Sequence, residues 1–293
     1  MEKSAFGRRR QRRRGGRARK SVPLKSLVPN FITSIAACSG IASISLASEG
    51  RFLEAMYALL VACVCDGIDG RVARLLGASS RLGAELDSLA DFVNFGVAPA
   101  MFMYYWLTGG PAHVYADGSA ANPYTIRAVL ACSLFYAMCD CFRLARFNTM
   151  LEQEPLPYWK NYFTGVPAPG GCWMVLTPCI LLTTLDAQTR WPAVWAFFSH
   201  PAFGMAMLLF VGVLMASRLP TISLKSVHVS KRAQRPVLAC GLFLVGCLFF
   251  DHWLTLGTIG ALYVLTVPVS GFLFLRGKAK WEASKAAGGD DGE

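Results

Sequence analysis

The stretch of sequence that decides the fold is Asp66-Gly67-Ile68-Asp69-Gly70-Arg71-Val72-Ala73-Arg74, followed after eight residues by Gly83, Asp87 and Asp91. Two of its four aspartates lie inside one long apolar segment, and the other two lie inside the next. A carboxylate at membrane depth costs about 3 kcal/mol or more, so four of them together need a compensating partner. Clustered oxygen ligands suit a hard divalent cation such as Mg²⁺ or Mn²⁺. The sequence therefore predicts a metal site on two neighbouring membrane helices.

The spacing of the aspartates brings their side chains together. Asp66 and Asp69 are three residues apart, so on a helix they share a face. Asp87 and Asp91 are four apart and share a face of the next helix. The connecting residues 75–82 include glycine and serine, which suit a tight turn. Two antiparallel helices joined in this way would cluster all four carboxylates, with enough oxygens for one or two octahedral ions.

Two other interpretations of this pattern involve no catalytic metal. The aspartates could form interfacial ion pairs with Arg71 and Arg74, and the glycines could serve only close helix packing. Alternatively, the carboxylates could line the path of a cation transporter. A transporter predicts acidic residues spread over several helices, whereas here they cluster in two. The full spacing therefore favours a metal site, and a scaffold without chemistry would give the aspartates no role.

The composition is that of a membrane protein. Of 293 residues, 54% are hydrophobic and only 16% are charged, which is poor in charge for a soluble chain. Many apolar runs approach the roughly 20 residues that a bilayer-spanning helix needs. We therefore expect an all-α polytopic membrane protein with about eight transmembrane helices. They are predicted at residues 28–48, 52–76, 83–107, 125–147, 167–184, 201–217, 236–250 and 254–275.

Basic residues set the expected orientation. Residues 1–20 hold ten Lys and Arg residues, and eight spans would place nearly all the others on the same side as this arm. The exceptions are Arg51, Arg127 and Arg190. The positive-inside rule then predicts that the N-terminus and the aspartates face the cytoplasm. We expect a bacterial cytoplasmic membrane, whose anionic headgroups explain the basic arm better than nucleic acid does.

We expect three parts along the chain. The cytoplasmic arm, 1–24, and the cytoplasmic tail, 277–293, have too few apolar residues to bury and are predicted to be disordered. The transmembrane catalytic domain is predicted between them, at 25–276.

The aspartate string also resembles a known signature. It matches D-x2-D-G-x2-A-R-x8-G-x3-D-x3-D, that of the CDP-alcohol phosphatidyltransferases, at every specified position. The resemblance implies the fold of that family, with a core of six membrane helices and a cytoplasm-facing polar cavity, usually in a homodimer. It also implies the chemistry, in which an alcohol attacks the lipid-side phosphate of a CDP-linked lipid and CMP leaves.

The resemblance assigns roles to the residues of the string. It implies that Asp66, Asp69 and Asp87 are metal ligands for Mg²⁺ or Mn²⁺, two ions being expected. Asp91 is the candidate catalytic base and is also expected to contact the second ion. Arg74 suits a diphosphate because a guanidinium matches phosphate geometry. The residues expected to bind the CDP-lipid are Asn30, Thr33, Gly67, Gly70, Ala73, Arg74 and Gly83.

Other segments resemble the phosphatidylserine synthase branch of the family, which implies CDP-diacylglycerol and L-serine as substrates. These segments are Pro29–Thr33, Arg143–Asn148, Tyr162–Pro169 and Leu214–Pro220. Arg143 and Arg146 are three apart and could hold the serine carboxylate, while Asn148 and Asp140 could address its ammonium.

The acceptor remains open from the sequence. The two arginines could instead be topology anchors or bind lipid phosphates. Glycerol 3-phosphate, inositol, inositol phosphate or choline could replace serine. Choline would require aromatic faces, which Tyr158, Trp159 and Tyr162 could offer.

Overall fold

A computed structural model describes residues 27–78, 80–109, 122–150, 162–217, 219–222 and 234–287. The predicted basic arm and residues 288–293 of the predicted tail lie outside the described residues. Nearly all of the described chain is helical, so the prediction of an all-α protein is confirmed. The helices are α1 Leu27–Ser48, α2 Phe52–Leu75, α3 Arg81–Asp91, α4 Ala98–Gly109, α5 Pro123–Met150, α6 Ala168–Thr184, α7 Ala187–Arg190, α8 Pro192–Phe198, α9 Pro201–Ala216, α10 Gln234–Phe250 and α11 His252–Ala287.

Each of the eight predicted segments is helical. A six-residue π-helix, Phe92–Val97, joins α3 to α4, and it lies inside the predicted segment 83–107. Two short strands, β1 Tyr162–Thr164 and β2 Pro220–Ile222, pair antiparallel and place the loops before α6 and after α9 side by side. At the C-terminal end, α11 continues to Ala287, past residue 276, where the sequence placed the end of the membrane domain.

Several described helices are long and apolar enough to cross a membrane. Three qualify singly, namely Leu27–Ser48, Pro123–Thr149 and His252–Phe272. A fourth span is possible if α8 and α9, which meet at a bend of 51°, act as one. Each of these helices begins at a proline, Pro192 in α8 and Pro201 in α9. At a first helical position the missing N–H costs no helical hydrogen bond.

The inner face of α1 carries small residues, so neighbouring backbones approach closely. Its buried positions recur every three or four residues, as one face of a helix requires. A Cβ placed on Gly40 would collide with the Asn94 side chain of the π-helix. Deeper in the core, the Phe52 ring contacts Phe102 and Trp106 edge-on, with centroids 5.6 and 5.1 Å away. Close packing of this kind fixes α1, α2 and α4 as one unit.

The turn between α2 and α3 has the tight form that the sequence predicted. Gly77 has a φ of +58°, which glycine adopts without strain. The Ala78 N–H donates to the Ala73 carbonyl at 2.9 Å and closes the end of α2. Ser80 then begins α3, because its Oγ accepts the Gly83 N–H at 3.0 Å. These caps set the angle at which the two aspartate-bearing helices meet.

Candidate metal and phosphate site

Three of the four aspartates converge at the α2–α3 turn. Asp66, Asp69 and Asp87 each offer an oxygen, and these oxygens all lie within 4.8 Å of one another. Asp69 is the most buried of the three, with 3% of its surface exposed. Its Oδ2 accepts a 2.6 Å hydrogen bond from the Thr33 hydroxyl of α1, and its Oδ1 accepts the Gly70 N–H. Helix α1 therefore holds the orientation of the central carboxylate.

Among the described residues, no arginine forms an ion pair with these carboxylates. Neither Arg71 nor Arg74 forms an ion pair with Asp66 or Asp69, although all four residues are described. The interpretation of the aspartates as interfacial ion pairs is therefore wrong. Three uncompensated carboxylates at such close range repel one another unless a cation joins them. Their oxygens are the ligands that Mg²⁺ and Mn²⁺ prefer, so the group fits a hard divalent ion.

Asp91 lies beside this group but is not part of it. Its Oδ1 is buried without a hydrogen-bond partner among the described residues. The π-helix begins at the next residue, Phe92. At its end, the Ala98 N–H donates to the carbonyl of Val93, five residues earlier. Such π-bulges recur at functional sites because they turn side chains away from the regular helical register.

A cavity of about 330 Å³ opens next to the three carboxylates. It brings together six of the seven residues that the sequence predicted for the CDP-lipid, and Gly67 is the one that does not line it. Its lining includes Asn30, Thr33, Asp69, Gly70, Ala73, Arg74, Gly83 and Asp87. A Cβ on Gly83 would lie 2.9 Å from the Asn30 Oδ1, so this glycine lets α1 and α3 meet. Gly70 faces open space, which leaves room beside the carboxylates.

A second cavity, of about 400 Å³, lies near the start of α2 and holds none of the predicted site residues. Helix α2 has 24 residues, so its two ends are roughly 36 Å apart. Arg51 in this cavity pairs with Glu49 and Glu54, whose carboxylates raise the pKa of its guanidinium above the ordinary value. Its charge is thus already compensated, and the group of three carboxylates lies toward the other end of α2.

The structure gives the two arginines of the predicted serine site different environments. Arg143 points inward, and its Nε and Nη1 are buried without a hydrogen-bond acceptor among the described residues. Its nearest carboxylate is Asp140, with Nη1 and Oδ1 3.8 Å apart. Arg146 instead donates from Nη2 to the Ala216 carbonyl at 2.7 Å, at the C-terminal end of α9. Such a contact caps the helix.

The other two residues proposed for the acceptor also have defined contacts. Asn148 donates from Nδ2 to the Ser88 hydroxyl of α3 at 3.1 Å, so it joins α5 to the helix that carries Asp87. Asp140 is fully buried. A Cβ on Gly96 of the π-helix would lie 2.8 Å from its Oδ2. Asp140 thus faces the π-helix, away from solvent.

Sequence reasoning missed the residues around the π-helix and one residue of α11. Asn94 is completely buried, and neither atom of its amide has a hydrogen-bond partner among the described residues. Its position three residues after Asp91, inside an apolar run, was a signal that could have been used. Tyr263 of α11 lies against Gly170 at the start of α6, and no local pattern in the sequence points to that contact.

Comparison with known proteins finds similarity to one family. The family model described as CDP-alcohol phosphatidyltransferase matches residues 26–202. A CDP-diacylglycerol–serine O-phosphatidyltransferase of Mycobacterium leprae is 33% identical over 276 residues, which cover 94% of this chain and 82% of that protein. One of Mycobacterium bovis is 36% identical over 68% of this chain and 64% of its own length. One of Helicobacter pylori is 31% identical over 69% of this chain and 74% of its own.

The chain belongs to the CDP-alcohol phosphatidyltransferase family. The family predicted from the aspartate string is thereby confirmed, and with it an enzyme of membrane phospholipid synthesis. The matched region runs from the residue before α1 into α9, and it contains every aspartate of the site.

Proposed function

We propose that this enzyme transfers the phosphatidyl group of CDP-diacylglycerol to the hydroxyl of L-serine, giving phosphatidylserine and CMP. The observation that carries the proposal is the group of three carboxylates, with oxygens within 4.8 Å of one another, beside the cavity that Arg74 lines. The choice of serine is supported by the names of relatives that share 31–36% of their aligned residues with this chain.

The carboxylates Asp66, Asp69 and Asp87 would hold the divalent metal, Mg²⁺ or Mn²⁺, and Asp91 would add an oxygen if a second ion binds. A bound ion of this kind neutralises charge on a diphosphate as its bond to a leaving group breaks. Thr33 keeps Asp69 oriented for this role, because its hydrogen bond fixes one carboxylate oxygen. Such supporting contacts commonly govern metal affinity.

The cavity residues would bind the CDP part of the lipid. Arg74 would donate paired hydrogen bonds to the diphosphate. The absence of a side chain at Gly70 would give the nucleotide access to the carboxylates, and Asn30, packed against Gly83, would line its other side. The acyl chains would stay among membrane lipids beside the helices.

The acceptor would bind on the α5 side of the metal site. Arg143, two of whose nitrogens meet no acceptor among the described residues, would donate to the serine carboxylate. Asp91 would accept the proton of the serine hydroxyl. The freed oxygen would form a bond to the lipid-side phosphorus while the bond from that phosphorus to the CMP oxygen breaks. Positioning and charge neutralisation supply most of the rate in such transfers, and we favour direct transfer over a phosphatidyl-enzyme.

We further propose eight transmembrane spans, with the N-terminus and the metal site on the cytoplasmic side of a bacterial membrane, and a homodimer. The positive-inside bias supports this orientation. This orientation places three basic residues on the outer side, and one of them, Arg51, forms ion pairs with Glu49 and Glu54.

The test is an assay of purified protein in detergent with CDP-diacylglycerol and Mn²⁺ or Mg²⁺. L-serine, glycerol 3-phosphate, inositol and choline are supplied separately, and CMP and the lipid product are followed. We expect phosphatidylserine only with serine, and none from Asp91→Asn. The control is Asp186→Asn, which also replaces a carboxylate by an amide but lies between α6 and α7, and it should retain activity. CMP release only with another alcohol would reject serine, whereas no CMP release with any acceptor from folded protein would reject the enzymatic function.

A further inference from the structure

Helix α11 is held tightly against α6 by two glycines. A Cβ on Gly257 would lie 2.7 Å from Leu181, and one on Gly260 would collide with the Thr177 hydroxyl. As α11 runs forward, its contacts move back toward the start of α6, so the two helices are antiparallel. Close contact at glycines leaves little freedom for sliding. The position of the next inward residue, Tyr263, is therefore well determined.

Tyr263 crosses the first turn of α6. A Cβ on Gly170 would lie 2.9 Å from both the phenol oxygen and Cε1 of Tyr263, so the ring rests on the glycine backbone. The next residue of α6, Gly171, lies against Met215 at the end of α9. The Met215 carbonyl accepts a hydrogen bond at 3.5 Å from Arg146, one turn along α5 from Arg143. Three helices that are distant in sequence thus converge where the acceptor was placed.

The groups that meet between α5, α6 and α11 all favour a negatively charged ligand. The buried Nε and Nη1 of Arg143 have no hydrogen-bond acceptor in the part of the chain that the structure describes. The first turn of α6 presents the positive end of a 17-residue helix. The Tyr263 hydroxyl can donate a hydrogen bond. All three favour an anion, and Asp140 satisfies only part of the Arg143 charge because their separation is 3.8 Å.

We propose that Tyr263 is a positioning residue that donates a hydrogen bond to the carboxylate of the amino-acid acceptor, alongside Arg143. The inference rests on the proposed function and adds a specificity residue to it. Tyr263 lies beyond residues 26–202, the region that the family model matches. The family's shared region would thus supply the metal site, while α11 contributes to the selection of the acceptor.

The experiment compares wild type, Tyr263→Phe and Tyr124→Phe in steady-state assays that vary L-serine and CDP-diacylglycerol in turn. Tyr124 is 76% exposed at the start of α5, so its variant controls for loss of a phenol hydroxyl. Loss of a hydrogen bond to a charged group corresponds to roughly ten-fold or more in affinity. We expect Tyr263→Phe to raise KM for serine by about that factor, with KM for CDP-diacylglycerol unchanged.

A second arm uses L-serinamide, which keeps the hydroxyl and ammonium but lacks the carboxylate. Wild type and Tyr263→Phe should use it equally poorly, because neither can form the carboxylate contact. Gly170→Ala, which displaces the phenol, should reproduce the serine defect. A thermal melt in detergent checks that each variant is folded.

The outcomes separate the two proposals. If wild type makes phosphatidylserine but folded Tyr263→Phe keeps its serine KM, the assignment of Tyr263 is wrong and the proposed function stands. If Tyr263→Phe instead raises KM for CDP-diacylglycerol, the phenol binds the lipid phosphate and the assignment is also wrong. If wild type does not use serine, both proposals fail together.

Discussion

The Thr33 hydroxyl of α1 donates a 2.6 Å hydrogen bond to Oδ2 of Asp69 on α2. Both residues are buried, with 4% and 3% of their surfaces exposed. The contact spans 36 positions of sequence, so it exists only when α1 and α2 pack in this register. It joins the helix that carries the proposed nucleotide contact, Asn30, to the helix that carries two proposed metal ligands.

Replacing Thr33 tests the link between that hydrogen bond and the metal. Thr33→Val keeps the shape but removes the donor, so Asp69 loses its fixed orientation. We expect the Mn²⁺ concentration needed for half-maximal activity to rise roughly ten-fold or more, as is usual when a group supporting a metal ligand is lost. Thr33→Ser retains the hydroxyl and should stay near wild type. An unchanged metal requirement in Thr33→Val would show that Asp69 needs no such support.

Metal binding should also be visible without turnover. An ion that binds only the folded protein raises its melting temperature by mass action, and here it would also relieve repulsion among three carboxylates. We expect Mn²⁺ to raise the melting temperature of EDTA-treated protein in detergent, and Asp87→Asn to lose most of that increase. Asp251→Asn, at the start of α11, is the matched control. Equal shifts in both variants would place the ion elsewhere.

Gly83 tests the close approach of α1 and α3. Gly83→Ala would put a methyl group 2.9 Å from the Asn30 Oδ1, so Asn30 or α3 must move. We expect KM for CDP-diacylglycerol to rise several-fold while KM for the acceptor changes little. Gly241→Ala on α10, where a Cβ meets nothing within 4 Å, controls for the loss of a helical glycine. A selective effect on the acceptor would contradict the nucleotide role of this cavity.

Arg143 and Arg146 should give different defects when each is changed to Gln. Arg143→Gln removes a charged donor proposed to bind the acceptor, so KM for serine should rise roughly ten-fold or more. Arg146→Gln removes the cap on the Ala216 carbonyl and should cost about 1–3 kcal/mol of stability. Melting temperatures and serine titrations of the two variants measure both effects. Identical kinetic defects would favour the joint grip on the carboxylate that the sequence suggested.

Much of the architecture follows from local sequence. Apolar runs of sufficient length predicted the long helices, because a backbone among lipids must satisfy its own hydrogen bonds. The short helices α7 and α8 were not predicted, and α11 extends to Ala287, beyond its predicted end at residue 275. The spacing of Asp66 and Asp69 fixed their common face, and Gly77 marked the turn because it readily adopts a positive φ. The family and the three-carboxylate group could therefore be predicted before any packing was known.

Contacts between segments that are distant in sequence could be identified only from the tertiary structure. Arg143 and Arg146 look equivalent in sequence, yet of the two only Arg146 is seen to donate a hydrogen bond to the C-terminal end of α9 in the described structure. The π-helix after Asp91 has no local signature that periodicity detects. Tyr263 reaches Gly170 only because glycines elsewhere on α11 let it lie on α6. Local sequence determined which helices form and where the aspartates sit on them, because both depend on near neighbours. The proposed acceptor pocket was decided by tertiary packing, since its parts come from α5, α6 and α11.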